Sequence, residues 1–179
     1  IVSADYFAVL GVTAARGRTF VPSEDEGRGA HPVVVLSDAG WKNLFGADPN
    51  VVGRRIPVNG QNVEVIGVTP PDFRGALPLA PPAMWMPLMQ LAQARPGSEG
   101  DFENRGNNYL NVVARLRPGV SPGQARARMT TLVRELRAEF PDNYERSEIN
   151  LVRQSDAGIH PTMRGAQVAL SAVVMIVVG

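Results

Sequence analysis

The sequence contains no cysteine, only two histidines, and a single lysine among its 18 basic residues. The lack of cysteine excludes disulfides, thiolate nucleophiles, zinc fingers and iron–sulfur ligation. His31 and His160 are too few for a histidine-rich metal site, and because each precedes a proline, each is expected in an extended or turn segment. The formal net charge of +1 gives no broad positive field, so the sequence predicts no nucleic-acid partner.

Motifs for catalysis and cofactor binding are missing as well. Ser37 follows an apolar run but lacks the flanking glycines of a nucleophile elbow, so we interpret it as a helix cap. The acidic stretch 24–26 lacks the ligand spacing of a calcium loop. Neither a phosphate-binding loop nor a dinucleotide-binding glycine pattern occurs. The chain is therefore predicted to be no enzyme and to need no cofactor or metal.

What is present is a globular composition, with 44% apolar and 20% charged residues. Residues 33–36 predict a buried strand, and residues 109–116 predict a strand with one apolar face. A helix is predicted after each of these strands. The second begins with a capping box from Ser121 to Gln124 and carries an apolar face up to Phe140. Strand-then-helix units of this kind are typical of α/β structure.

The middle of the chain has a different character. Asn59-Gly60 tolerates positive φ at both positions and predicts a β-hairpin, which a proline-rich stretch follows. The predicted fold class is therefore α+β. An α/β subdomain of strand–helix–strand units at 1–53 and 107–160 is interrupted by a small β-rich, proline-containing subdomain at 54–106.

The last residues form an apolar run, 168–178, that contains no charge. It has two interpretations. The favoured one is the start of a truncated transmembrane helix at 166–179, because the run is longer than an ordinary strand. The other is a buried strand within 173–178, because β-branched residues dominate there.

A series of short motifs in chain order resembles one known family. The motifs are Asp5-Tyr6-Phe7-Ala8-Val9-Leu10-Gly11-Val12, Gly17-Arg18-Thr19-Phe20, Val34-Val35-Leu36-Ser37, Asp48-Pro49-Asn50-Val51-Val52-Gly53-Arg54, Val58-Asn59-Gly60, Val65-Ile66-Gly67-Val68-Thr69-Pro70, Met84-Trp85-Met86-Pro87-Leu88 and Val113-Ala114-Arg115-Leu116-Arg117-Pro118-Gly119-Val120-Ser121. On these motifs the chain resembles the MacB-like periplasmic core domain over nearly its whole length. Phe73-Arg74-Gly75 and the proline-rich middle are more similar to the duplicated orphan permeases of soil bacteria.

The resemblance implies an ABC-transporter permease of the FtsX-like family, anchored in the bacterial inner membrane, with this domain on the extracytoplasmic side. It implies a porter-like α/β part interrupted by a Sabre-like β-rich part, and a membrane helix that begins near the end of the chain. ATP would be hydrolysed by a separate ATP-binding cassette subunit or domain. The extracytoplasmic domain would transmit the resulting motion to a partner or substrate outside the membrane. The partners implied are a periplasmic protein or a second permease copy. Efflux, lipoprotein release and control of cell-wall hydrolases all remain open.

Five polar or flexible residues on predicted loops are candidates for contact with a partner. They are Asn59, Gly60, Arg95, Arg105 and Asn107. Loops carried by a rigid scaffold are the usual place for such contacts. The alternative function is a soluble α/β enzyme of unknown activity, whose apolar tail would be a buried C-terminal strand.

Overall fold

The computed structural model of the protein describes residues 1–76, 81–107, 110–145, 149–153 and 172–177. The chain divides into two compact units, Ile1–Asp101 (unit 1) and Phe102–Gly179 (unit 2). Among the described residues, no helix combines the length and the apolar character needed to cross a bilayer.

Unit 1 consists of short helices and strands. Its elements are α1 (Tyr6–Leu10), β1 (Arg16–Gly17), a 3-10 helix (Pro22–Asp25), β2 (Val33–Leu36), α2 (Asp38–Phe45), β3 (Arg55–Val58), β4 (Gln61–Val68), β5 (Met84–Trp85), a second 3-10 helix (Leu88–Gln90) and α3 (Leu91–Ala94). The strand at 33–36 and the helix after Ser37 are both confirmed. Ser37 Oγ accepts the Gly40 amide at 2.9 Å, as a helix cap should.

The strands of unit 1 form one mixed five-stranded sheet in the order β1-β4-β2-β5, with β3 also paired to β4. Strands β2 and β4 are parallel, and the other pairs are antiparallel. The Asn59-Gly60 hairpin is confirmed, because Val58 pairs with Gln61 and φ is 47° at Asn59 and 82° at Gly60. The mixed α+β class is likewise confirmed.

Both faces of this sheet are buried. Val34 and Leu36 of β2 enter one apolar cluster together with Trp41 of α2, whereas Val35 enters a second cluster with Phe7 of α1. Successive residues of a strand point to opposite faces, which is why the continuous apolar run of β2 is covered on both sides.

The strands within residues 54–106, which were expected to form a separate β-rich subdomain, belong to the main sheet of unit 1. β3 and β4 join the same sheet as β2, and 1–101 form one compact unit. The physical reason is the length of β4, whose eight residues pair with β3, β1 and β2 at once. The hairpin therefore completes the sheet. The division into an α/β subdomain and a β-rich subdomain stays a prediction.

Unit 2 contains a parallel sheet and one long helix. Its described elements are β6 (Val112–Arg115), α4 (Pro122–Glu139), α5 (Pro141–Tyr144), β7 (Ile149–Arg153) and β8 (Ala172–Val177), with the strand order β6-β8-β7. The capping box of α4 is confirmed, since Ser121 Oγ accepts the Gln124 amide at 3.2 Å and Gln124 Oε1 accepts the Ser121 amide at 2.8 Å.

The carboxyl-terminal run differs from the favoured expectation. Ala172–Val177 form a strand that pairs in parallel with β6 and β7, so these residues do not form the start of a helix. The segment is mostly β-branched, which favours extended backbone, and the two flanking strands supply the hydrogen bonds of a central strand. The rest of the predicted membrane segment, 166–171 and 178–179, lies outside the described residues.

Five aromatic side chains of unit 1 pack together around α1. They are Tyr6, Phe7, Phe20, Phe73 and Trp85, with ring centroids 5.3–6.3 Å apart. The Tyr6 hydroxyl accepts the Ala76 amide at 2.8 Å. Burial raises the pKa of the Tyr6 phenol above its ordinary value of 10.0, although the hydrogen bonds to Ala76 and Trp85 act in the opposite direction.

This position of Tyr6 predicts a loss of stability in alkali. The unfolded chain releases the phenolic proton near pH 10 while the folded chain still holds it, so the free energy of unfolding should fall as the pH rises above about 10. Tyr6→Phe removes this component, because phenylalanine does not ionise. The measurement is urea unfolding of both proteins between pH 8 and 11. Curves of stability against pH that stay parallel would contradict the prediction.

Candidate functional site

The hairpin tip at Asn59-Gly60 is predicted to contact a partner. The Asn59 side chain already makes hydrogen bonds within unit 1. Asn59 Nδ2 donates to the carbonyl of Gln93 at 2.9 Å and to that of Ala94 at 3.2 Å. In return, Gln93 Nε2 donates to the Val58 carbonyl. The tip therefore caps the carboxyl end of α3, where helical carbonyls lack intrahelical partners, while Gly60 stays exposed.

The first part of the predicted loop after α3 is compactly folded. Arg95 forms an ion pair with Asp101 at 2.5 Å. Ser98 is only 2% exposed, and its hydroxyl lies 3.3 Å from the Leu91 carbonyl and 2.5 Å from the Arg95 carbonyl. Arg95 thus has a structural partner within unit 1, and its proposed contact with another protein stays a prediction.

The two remaining candidates belong to unit 2. The guanidinium of Arg105 lies over the ring of Phe140, 4.1 Å from its centroid, which is a cation–π arrangement. The Asn107 amide donates to the Asn104 carbonyl at 3.0 Å. Asn104 Oδ1 accepts the Gly106 amide at 3.0 Å, so the turn is fixed by its own asparagine. The role of these residues in partner contact also stays a prediction.

A buried carboxylate is the main electrostatic feature of unit 1. Glu24 is 3% exposed, and it accepts Arg18 Nη2 and the Val21 amide, both at 2.8 Å. The hydrogen bond to Glu24 is the largest cause that raises the pKa of the Arg18 guanidinium. This carboxylate is fully engaged in stabilising the chain around the first 3-10 helix.

The described residues show few features of a catalytic site. No group of three or more histidine, aspartate or glutamate side chains among them could hold a metal ion. The Ser37 hydroxyl is used twice in the fold, since it also lies 3.2 Å from the Ala83 carbonyl. His160 lies outside the described residues, and His31 precedes β2 on a loop.

An open surface hollow of about 340 Å³ lies at the start of α4 in unit 2. It is lined by Gly119, Val120, Gln124, Ala127 and Arg128. Four of these residues are exposed, and Val120 is half-buried. A small-molecule site normally encloses its ligand with convergent, buried polar groups, and these five residues do not provide such groups.

Gln93 and Trp85 are the residues that sequence reasoning missed. Gln93 is 6% exposed and binds a strand whose sequence position is 35 residues away. No local pattern marks a contact of that separation. Trp85 was quoted only within the motif Met84-Trp85-Met86-Pro87-Leu88, and no local pattern marks its contact with Phe7 of α1 in the aromatic cluster.

The chain is similar to known proteins along most of the described structure. The family model described as the MacB-like periplasmic core domain matches residues 1–132. This match includes all of unit 1, β6 and the first part of α4.

Two curated relatives are similar in sequence. The macrolide export ATP-binding/permease protein MacB of Salmonella paratyphi A is 31% identical over 135 residues. The protein of the same name from Escherichia coli strain K12 is 29% identical over 136 residues. Each match covers 74% of this chain and 19% of the relative, so the chain spans about a fifth of the length of these proteins.

A solved structure is similar in fold. It is the periplasmic region of MacB from Actinobacillus actinomycetemcomitans, with a TM-score of 0.50 and 19% identity. The similarity covers 79% of this chain and 56% of that one. At this identity the similarity concerns the fold alone.

Proposed function

The chain belongs to the MacB-like periplasmic core domain family, and we propose from this that it is the extracytoplasmic, non-catalytic domain of an ABC-type permease. The observation that carries the proposal is the continuous match over residues 1–132. A match that runs through a complete compact unit supports a shared domain better than a short motif would.

We propose a mechanical task for this domain, namely to couple ATP hydrolysis in the cytoplasm to export or to another process in the envelope. A sheet buried on both faces is suited to this task, because close-packed interiors deform little and transmit strain. The charged groups described above, such as Glu24 and Asp101, are committed to internal pairs, which supports a structural use of these groups.

The partners and the location follow from the same proposal. The intact protein would lie in the bacterial inner membrane with an ATP-binding cassette subunit or domain. A periplasmic partner or a second permease copy would contact this domain. The names of the relatives support export as the class of activity. The resemblance implies porter-like and Sabre-like subdomains. We keep these names for the architecture of the family, because 1–101 form one compact unit in this chain.

One observation favours the alternative of a soluble enzyme with a buried C-terminal strand. The run at 172–177 forms β8, the central strand of the sheet in unit 2. This supports the buried C-terminal strand of that alternative. The enzymatic activity would require convergent titratable groups in a concave site.

The location can be tested by labelling single cysteines, because the domain has none of its own. Leu44 on α2 is 59% exposed, so Leu44→Cys in an otherwise cysteine-free intact permease should react with a membrane-impermeant maleimide in intact cells. The proposed location predicts labelling close to that obtained after lysis. Labelling only after lysis would overturn the extracytoplasmic location and favour the soluble enzyme.

A buried position provides the matched control. Leu36 on β2 is fully buried, so Leu36→Cys should stay unlabelled in intact cells and in lysate, and should react only after denaturation. Reaction of both variants in intact cells would mean that the domain is unfolded. The result at Leu44 would then have to be obtained at another exposed position.

A further inference from the structure

The tip of the β3–β4 hairpin contains a chemically reactive dipeptide. Asn59 is followed by Gly60, and no other asparagine of the chain is followed by glycine. Both residues are exposed. The backbone nitrogen that follows an asparagine can attack the side-chain amide of that asparagine. Glycine favours this attack, because it has no side chain in the way and its backbone turns freely.

The fold holds the reactive amide in place. Asn59 Nδ2 donates to the carbonyls of Gln93 and Ala94 at 2.9 and 3.2 Å. These acceptors are the last two residues of α3, so both hydrogen bonds exist only when unit 1 is folded. Nδ2 is the atom that the attack on the amide expels. It cannot leave without breaking both hydrogen bonds, and the folded structure therefore opposes the reaction.

We propose that Asn59 is a site of spontaneous deamidation, which its two hydrogen bonds to α3 hold back while unit 1 stays folded. The Gly60 nitrogen, after losing its proton to base in the solvent, forms a bond to Cγ of Asn59. The bond between Cγ and Nδ2 then breaks, and the nitrogen takes up a proton and leaves as ammonia. Water adds to either carbonyl of the resulting succinimide ring and opens it to aspartate or isoaspartate. Water is the only co-reactant, and nothing is oxidised or reduced.

The products change the hairpin tip. A carboxylate has no proton to donate, so the tip loses both hydrogen bonds to the end of α3 and gains a negative charge. The isoaspartate form also inserts a methylene group into the backbone of the turn. The two-residue turn between Val58 and Gln61 fixes the register of the hairpin, so this product disturbs the pairing next to it.

One consequence rests on the proposed function. Asn59 and Gly60 are candidates for contact with a partner, and deamidation would replace a neutral donor there by an anion. A partner that binds the fresh tip would therefore bind the aged tip differently. The reaction itself is a property of this chain. It is measured without a transport assay, so it can fail independently of the permease assignment.

The test is incubation of the 179-residue protein in mildly alkaline buffer, with and without unfolding concentrations of guanidinium chloride, followed by peptide mass spectrometry. Asn59 should convert about tenfold more slowly in the folded chain than in the unfolded chain, the lower range for two hydrogen bonds of ordinary net strength. Equal rates in the two states would overturn the proposal, and so would faster conversion of another asparagine in the unfolded chain.

A variant separates the contact with α3 from the geometry of the turn. Gln93→Met nearly keeps the length of the side chain but removes its hydrogen bond to the Val58 carbonyl, and it leaves the Asn59-Gly60 dipeptide unchanged. With the tip held less firmly against α3, Asn59 should convert several-fold faster than in the wild type, while the urea unfolding curve shows that the variant is folded. An unchanged rate in the folded variant would show that the contact with α3 does not hold the reaction back.

Two controls belong to the same experiment. Asn62 is exposed in the same hairpin but is followed by Val63, so it should stay unconverted while Asn59 reacts. Conversion of Asn62 at the rate of Asn59 would show that exposure, and not the following glycine, controls the reaction, and would overturn the assignment. Asn59→Asp provides the standard for the aspartate product, from which the isoaspartate peptide separates by chromatography.

Discussion

Gly67→Val is expected to destabilise unit 1 by about 3 kcal/mol, the upper part of the range for overpacking a closely packed site. A Cβ atom at Gly67 would lie 2.2 Å from the carbonyl oxygen of Arg18 and 3.0 Å from that of Arg16. Both obstacles are backbone atoms of β1 and the residue after it, so no side-chain rotation can relieve them. Strands β1 and β4 would have to separate.

Urea unfolding followed by tryptophan fluorescence measures this effect, because both tryptophans, Trp41 and Trp85, lie in unit 1. Gly100→Ala is the control, since a Cβ there meets no atom within 4 Å, and it should change stability by less than about 0.5 kcal/mol. Equal stability of Gly67→Val and the wild type would show that β1 does not pair with β4 in solution.

The close approach at Gly67 also explains a limit of the sequence-based prediction. Glycine inside a strand is a known sign of close backbone approach. However, the partner strand β1 consists of only two residues, Arg16 and Gly17. A strand this short carries no periodic pattern. The pairing is set by β4, which is long enough to pair with both β1 and β3.

In contrast, the sequence was sufficient to predict features that are formed by residues close together in the chain. The hairpin at Asn59-Gly60, the cap at Ser37 and the capping box at Ser121 all involve residues at most three positions apart. Positive φ and orphan amide groups are properties of the backbone itself. The membership of β3 and β4 in the same sheet as β2 is non-local, and no local pattern in the sequence indicates it.

The candidate contact residues illustrate the same division. The sequence identifies Asn59 as an exposed polar residue at a turn, which is correct. It does not show that Gln93 and Ala94 lie within hydrogen-bond distance of its amide. An amide at a turn can serve a partner protein or another part of its own chain, and only the three-dimensional structure distinguishes these uses. Asn59 should therefore be tested first as a residue that makes hydrogen bonds within unit 1.

Phe7→Ala is expected to lower the stability of unit 1 by about 3–5 kcal/mol, the usual cost of replacing a buried phenylalanine by alanine. Phe7 is fully buried, and its ring lies 5.3–5.8 Å from four other aromatic rings, those of Tyr6, Phe20, Phe73 and Trp85. Removing it leaves a cavity at the centre of this cluster. Helix α1 has only five residues, too few to be stable without that packing.

Phe7→Leu separates the loss of volume from the loss of the helix. Leucine fills much of the same space, so we expect a cost of about 1–2 kcal/mol with α1 still protected from hydrogen exchange. In Phe7→Ala the Val9 amide, which donates to the Asp5 carbonyl at 2.8 Å, should exchange much faster than amides of β2. A loss below about 1 kcal/mol in Phe7→Ala would mean that α1 contributes little to unit 1. The second cluster would then be held together by its other members, such as Phe20, Val35 and Trp85.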